Sequence, residues 1–259
     1  MHLSVSTGAF YFLPFEKTLA LIAKAGFEYI ELLMHSRGAH WELGQHLRGI
    51  PPAEALRMVE AHGLNISSLH DGGGWMEPGA SLVSRDTHEY LQHREIPCVV
   101  LHPPVKSAGD PADYLPRAAQ ELRQLATQAI VCVENLFPVE GECVALTNPA
   151  DMLAFITEHD IFATIDTTHC AQAGIDLIQT AKTLRERVRT VHLSDYAAPN
   201  AHVFVGEGAL DLKGCVQALD QDKLHALTLE CAVEYHAHDE NHTIQRLRQA
   251  YDYLKEISA

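Results

Sequence analysis

Ile130-Val131-Cys132-Val133-Glu134 reads as a β-strand that ends on a carboxylate. Its β-branched residues suit a pleated, buried surface. The same pattern returns three times, in Ile161-Phe162-Ala163-Thr164-Ile165-Asp166, Val188-Arg189-Thr190-Val191-His192 and Ala226-Leu227-Thr228-Leu229-Glu230. The four terminal residues are 32, 26 and 38 positions apart. A strand, a helix and two loops take up roughly 30 residues. One carboxylate or imidazole therefore closes each of four successive strand-helix units.

Side chains alternate across a strand. Cys132 thus shares a face with Glu134, Thr164 with Asp166, Thr190 with His192, and Thr228 with Glu230. Val131 and Val133 take the opposite face. The pattern predicts apolar partners against helices and a polar set facing a common axis.

The rest of the chain repeats the unit. Leu3 to Ser6, Glu28 to Leu33, Asn65 to His70 and Cys98 to His102 read as the four earlier strands. Phe15, Leu19 and Ile22 recur at helical spacing, and Gly26 suits the helix end. Pro51 and Pro52 open a helix that stops near Gly63. Helices are expected over Asp86 to Gln92, Asp113 to Thr127 and Asp176 to Arg187. Asn148-Pro149 gives the cap and first turn of another. Leu212, Val216 and Leu219 mark the next helix, and Ile244, Leu247, Tyr251 and Leu254 the last. Eight units without a linker predict a single α/β domain over residues 1–259, a closed (β/α)₈ TIM barrel. An open doubly wound sheet would more often carry a Gly-rich phosphate turn after its first strand, and Gly8 alone is not one.

Composition fits this reading. A chain of 259 residues, 47% hydrophobic, has the size and apolar content for such a barrel, which needs about 250 residues. Nothing approaches a membrane span. Met1 to Ser6 lacks the basic and long apolar regions of a signal peptide, so a cytoplasmic location is expected. The six cysteines include no CxxC spacing, which argues against a zinc ribbon or a thioredoxin-like site. Cys170 follows His169, and burial beside the site is the favoured reading. With 19 basic and 34 acidic residues the formal charge is −15, which weighs against a nucleic-acid partner.

Active sites of (β/α)₈ barrels lie at the C-terminal ends of the strands. Glu134, Asp166, His192 and Glu230 all fall there. Each alone is better explained by a hydrogen bond to a loop. Together, three clustered carboxylates would repel one another unless a cation or protons intervened. Carboxylate and imidazole ligands suit a divalent ion such as zinc, manganese, cobalt or magnesium.

The sequence resembles the xylose isomerase-like barrel superfamily, which includes sugar isomerases and epimerases, inosose-type isomerases and dehydratases, and endonuclease IV. The resemblance runs over essentially the whole chain. Its most specific pieces are Val133-Glu134-Asn135, Asp166-Thr167-Thr168-His169, His192-Leu193-Ser194-Asp195, Gly206-Glu207-Gly208 and Leu229-Glu230. It implies a divalent ion held by Glu134, Asp166, His192 and Glu230, with Glu134 and Glu230 also exchanging protons with the substrate. His70, His102, His169 and His202 match positions that help hold three zinc ions in endonuclease IV. They stand here as candidates for a second metal or for substrate contact. One departure counts against a third metal: the acidic ligand expected two residues before His202 is Asn200.

The expected activity is isomerisation or epimerisation of a sugar, a sugar phosphate or a polyol ketone through a metal-bound ene-diolate. The rival is endonuclease IV-like phosphoester hydrolysis at several zinc ions. A catalytically silent ligand sensor is a third reading, which the intact carboxylate set opposes. Glu31 divides evenly between a substrate contact and a structural hydrogen bond. Phe10, Tyr11, Phe12, Trp41 and Trp75 are candidates to wall the mouth, with ordinary packing a good alternative for each, and Lys106 and Arg37 are candidates to receive a phosphate. Glu234, His236, His238, Asp239, Glu240 and His242 read as a solvated loop. The partner is a small carbohydrate-like molecule, and a homo-oligomer is left open.

Overall fold

The computed structural model describes residues 1–34, 45–72, 81–106, 110, 113–233 and 239–259. Arg37, Trp41, Trp75, Glu234, His236 and His238, and the side chain of Lys106, lie outside the described residues.

Eight parallel strands close into a barrel. They are β1 (His2–Ser6), β2 (Tyr29–Leu33), β3 (Asn65–Asp71), β4 (Cys98–Leu101), β5 (Ile130–Glu134), β6 (Phe162–Asp166), β7 (Val188–Leu193) and β8 (Ala226–Leu229). Each pairs with its neighbour in sequence, and β1 pairs with β8 to complete the ring. The helices are α1 (Phe15–Ala25), α2 (Pro52–Ala61), α3 (Arg85–His93), α4 (Leu115–Leu125), α5 (Pro149–Glu158), α6 (Thr167–Gln172), α7 (Leu177–Leu184), α8 (Leu212–Ala218) and α9 (Glu240–Ile257). Among the described residues no helix is long and apolar enough to cross a membrane.

Local chemistry sets several boundaries. Gly26 caps α1 with φ of 99°, a left-handed conformation that disfavours a Cβ. Asn148 accepts from the Ala150 backbone N–H at 2.8 Å, with Pro149 in the first turn of α5. Glu230 and His102 fall one residue beyond their strands, though the Glu230 N–H still donates to the Leu193 carbonyl at 3.0 Å.

Three features differ from the sequence reading. An antiparallel ribbon pairs Asp195–Ala197 with Asn200–Val203 in what reads as a loop. A second joins Val105–Lys106 to Cys143–Val144. The short helix α6 starts directly at the end of β6. All three hold residues whose periodicity is too short to register in sequence. The expected wall residue Phe10 is fully buried in the core, whereas Tyr11 and Phe12 are exposed and stack edge to face.

The alternation places two cores on either side of the sheet. Val131, Val133, Ile165, Val191, Leu227 and Leu229 join the large core between sheet and helices. Inside the barrel, Cys98, Val100 and Cys132 form a small cluster backed by Ile130 and Phe162. The Arg189 guanidinium stacks 3.9 Å over the Phe162 ring. These residues plug the N-terminal end of the barrel. Above them lies a hydroxyl layer that includes a Thr164 Oγ1–Thr190 Oγ1 bond of 2.5 Å. The charged residues lie above that, at the C-terminal mouth.

Candidate metal centre

Glu134 ends β5, Asp166 ends β6, His192 lies near the end of β7, and Glu230 follows β8. One ligand atom from each lies within 4.8 Å of the others. Glu134, Asp166 and His192 are fully buried, and the Glu230 side chain is 17% exposed. His192 Nδ1 is 2.8 Å from Glu230 Oε2 and 3.3 Å from Glu134 Oε2, without hydrogen-bond alignment to either.

The surrounding chain fixes these groups. Asn135 braces β6 by accepting from the Asp166 N–H at 2.7 Å and donating to the Asp166 carbonyl at 3.1 Å. Asp166 Oδ1 caps α6 by accepting from the His169 N–H at 2.7 Å. Its other oxygen is left facing the cluster. Thr167 accepts from the Ser194 N–H at 3.2 Å, and its hydroxyl reaches the Ser194 carbonyl at 2.7 Å. Thr168 Oγ1 meets Ser194 Oγ at 2.7 Å, and Ser194 Oγ meets His202 Nδ1 at 3.1 Å. The segment from Asp166 to His169 therefore ties β6 to β7 and to the ribbon after it.

The four additional histidines all reach the mouth. His70 Nε2 is 3.3 Å from both His102 Nε2 and Glu134 Oε2. Together these residues form a second group of metal-capable atoms. His169 Nδ1 donates to the Asn135 carbonyl at 3.0 Å and lies 3.0 Å from Glu134 Oε1. His202 sits at φ 52° on the ribbon and groups with Asp166 and His169. The fully buried Cys170 takes a hydrogen bond from Asn135 at 3.4 Å, and burial pushes its thiol up to about 12.

Burial and mutual charge set the protonation. Burial pushes Glu134 upward, but the charges of His192 and His70, with His169 close by, outweigh it and hold the carboxyl well below its ordinary range. Glu230 is held low in the same way, chiefly against burial by His192. Burial lowers His70 and His169, yet the carboxylates around them raise both to about 9. His102 is pushed down to about 4 by burial and by the charges of His70 and His169, so it is a neutral imidazole, and its Nε2 lone pair accepts from His70 Nε2. Asp166 is raised by burial, which its histidine neighbours do not fully offset. Without a cation, histidine protons balance the carboxylates.

The residues fit a divalent ion. Both Glu134 oxygens, Asp166 Oδ2 and His192 Nδ1 are buried with no hydrogen-bond partner among the described residues. Unsatisfied buried carboxylate oxygens are costly. Here they converge with an imidazole nitrogen, a donor set that serves zinc or manganese once that nitrogen is deprotonated.

Two residues at the site carry weaker sequence signals. Glu31, on β2, is fully buried; its Oε2 accepts from Ser68 Oγ at 2.8 Å and from His192 Nε2 at 3.1 Å. Its position in a strand made an inward carboxylate legible, but not its contact with His192. Asn135 stands in the Glu134-Asn135 motif, yet its bracing of Asp166 crosses two strands and has no sequence spacing of its own.

The sequence matches the family model of the xylose isomerase-like TIM barrel over residues 19–257. The chain belongs to that family. No curated protein matches it significantly in sequence. Among solved structures, D-allulose 3-epimerase from Methylomonas sp. is similar, with 16% identity, a TM-score of 0.72, and coverage of 99% of this chain and 98% of that one. D-psicose 3-epimerase from Clostridium cellulolyticum H10, solved with D-tagatose, has 12% identity, a TM-score of 0.71 and 99% coverage of both chains. The IOLI protein, solved with a zinc atom, has 14% identity, a TM-score of 0.71, and coverage of 97% of this chain and 96% of that one. At these identities the likeness is one of fold.

Proposed function

We propose that this chain is a divalent-metal-dependent isomerase or epimerase of a small sugar, or of a sugar phosphate or polyol ketone. The observation that carries the reading is the convergence of Glu134, Asp166, His192 and Glu230, with ligand atoms within 4.8 Å and several of them buried and unpartnered among the described residues. A cation held by these four would polarise a carbonyl and acidify the adjacent C–H.

Glu134 and Glu230 supply the proton transfers. Both are ionised at neutral pH, the state a proton acceptor requires. One removes the proton next to the carbonyl, and either returns it to a different carbon or a different face of the ene-diolate. His169, anchored on the Asn135 carbonyl, orients a substrate hydroxyl. The similar structures include 3-epimerases named for D-allulose and for D-psicose, two names of one ketose, which supports a ketose as substrate.

The test is metal counting combined with solvent exchange. The protein, loaded with zinc or manganese, is incubated in heavy water with D-allulose, D-tagatose or D-fructose. One ion per chain and deuterium entering a carbon-bound position of a ketose are expected. No metal uptake, or no exchange into any ketose, overturns the proposal.

A second reading draws on the group formed by His70, His102 and Glu134. A second cation there would suit endonuclease IV-like phosphoester hydrolysis at paired zinc ions. Two or three zinc ions per chain with cleavage of an abasic oligonucleotide would favour it over isomerisation.

A further inference from the structure

His192 has two ring nitrogens with different surroundings. Nδ1 faces Glu134 and Glu230 and has no hydrogen-bond partner among the described residues. Nε2 points away from them and meets Glu31 Oε2 at 3.1 Å. Only one nitrogen can serve as a ligand, and the partner of the other decides which.

Glu31 is built to be that partner. It is fully buried on β2, across the barrel from β7. Ser68 Oγ donates to the same oxygen at 2.8 Å, which steadies the carboxylate. That contact depends on an irregularity between β2 and β3. Ile30 pairs with Ile66 but Glu31 pairs with Ser68, so Ser67 is an extra residue. Ser67 is held separately, donating to the Ile30 carbonyl at 2.9 Å and meeting Ser4 Oγ at 2.9 Å. The other Glu31 oxygen faces His70 Nδ1 at 3.5 Å, and neither atom has a hydrogen-bond partner among the described residues. One carboxylate thus lies against one nitrogen of each of two imidazoles whose other nitrogens face Glu134, and His70 Nδ1 is also 3.6 Å from Glu230 Oε1.

We infer that Glu31 is a positioning residue that accepts the Nε2–H of His192, fixing the ring so that Nδ1 is presented to the cation. The inference rests on the proposed metal site. Without Glu31 the imidazole can rotate about its Cβ–Cγ bond, and a half-turn puts the Cδ2–H where Nδ1 had faced the cation. Its buried Nε2–H would also lack an acceptor. The rival arrangement uses Glu31 itself as a ligand, since Glu31, His70, His192 and Glu230 also bring ligand atoms within 4.8 Å of one another. In that case Nε2 would carry the metal and lose its proton.

Two measurements on the full chain decide the matter, with zinc alone as the probe. The first is zinc affinity by competition with a chromophoric chelator. Loss of a partner to a ligating histidine weakens binding by about 10- to 100-fold. Glu31→Gln keeps a neutral acceptor, so about 10-fold is expected; Glu31→Ala removes it, so about 100-fold is expected. If Glu31→Ala fails to fold, the near-isosteric Glu31→Gln decides. The second is a long-range nitrogen–proton NMR spectrum of the zinc-loaded, histidine-labelled protein. His192 is expected to retain the Nε2 proton and to show zinc on Nδ1.

Wild-type zinc affinity in a folded Glu31→Gln variant overturns the inference, as does zinc on Nε2. Both outcomes leave the proposed function standing. Failure of the wild-type protein to bind zinc overturns both together.

Discussion

Metal-free protein should lose stability as the pH rises from about 6 to about 8.5, and zinc should reverse the trend. His70 and His169 are raised to about 9 in the fold, against 6.5 for a free imidazole. The folded state binds these protons more tightly than the unfolded chain. Their contribution is complete below about pH 6.5 and fades as the pH passes through about 9. Each pKa unit is worth about 1.4 kcal/mol, so His70 alone contributes at most about 3 kcal/mol. His169 leans on the same Glu134, so the two contributions do not add. Roughly 2 kcal/mol should vanish across the window, before titration of thiols enters. At this chain length that is a fall in Tm of roughly 4 °C or more. Zinc acts in the opposite sense. His192, which the surrounding carboxylates raise well above its ordinary value against the effect of burial, must release a proton to become a ligand. Zinc affinity, and the stability it confers, therefore rises with pH. The assay is scanning calorimetry of chelator-stripped and zinc-saturated protein at matched ionic strength, with His70→Gln as control. A metal-free Tm that holds or climbs with pH, or an unaltered slope in His70→Gln, would refute the reasoning.

Other variants probe separate parts of the structure. Glu134→Gln should lower ketose turnover by about 10²- to 10⁴-fold while leaving circular dichroism unchanged; turnover at the wild-type rate would defeat its assignment as an acid–base group. A Cβ on Gly208 would run into the Asp195 carboxylate and the Tyr196 backbone. Asp195 also accepts from the Gly206 and Leu210 N–H groups, so Gly208→Ala should cost about 1–3 kcal/mol in urea unfolding. Leu254 on α9 is fully buried in the large core, and Leu254→Ala should cost about 2–5 kcal/mol by the same measurement. An undiminished unfolding midpoint in either variant would contradict the packing described.

The barrel was legible because its signal is local and repeated. Four strands each end on a ligand-capable residue, and their alternation separates an apolar face from a polar one. Val133 and Glu134 occupy the faces that this alternation assigns them. Alternation fails where the ladder shifts. Counting back from His70 would send Ile66 into the barrel, yet the extra residue Ser67 returns Ile66 to the helix-facing core. Phe10 takes the packing alternative, since a residue that follows a strand can turn inward as readily as it can line a mouth.

The sequence by itself determined the repeat, the inward parity of Glu134, Asp166, His192 and Glu230, and the family to which the chain belongs. A period of two and a unit of roughly 30 residues are written into neighbouring positions. Only the tertiary structure decided which nitrogen of His192 faces the carboxylates, which atoms of Glu134 and Asp166 lack partners among the described residues, and that Glu31 reaches across the barrel to His192. Those facts depend on distances between strands far apart in the chain. No spacing along a single strand encodes them, because they exist only once the sheet has closed on itself.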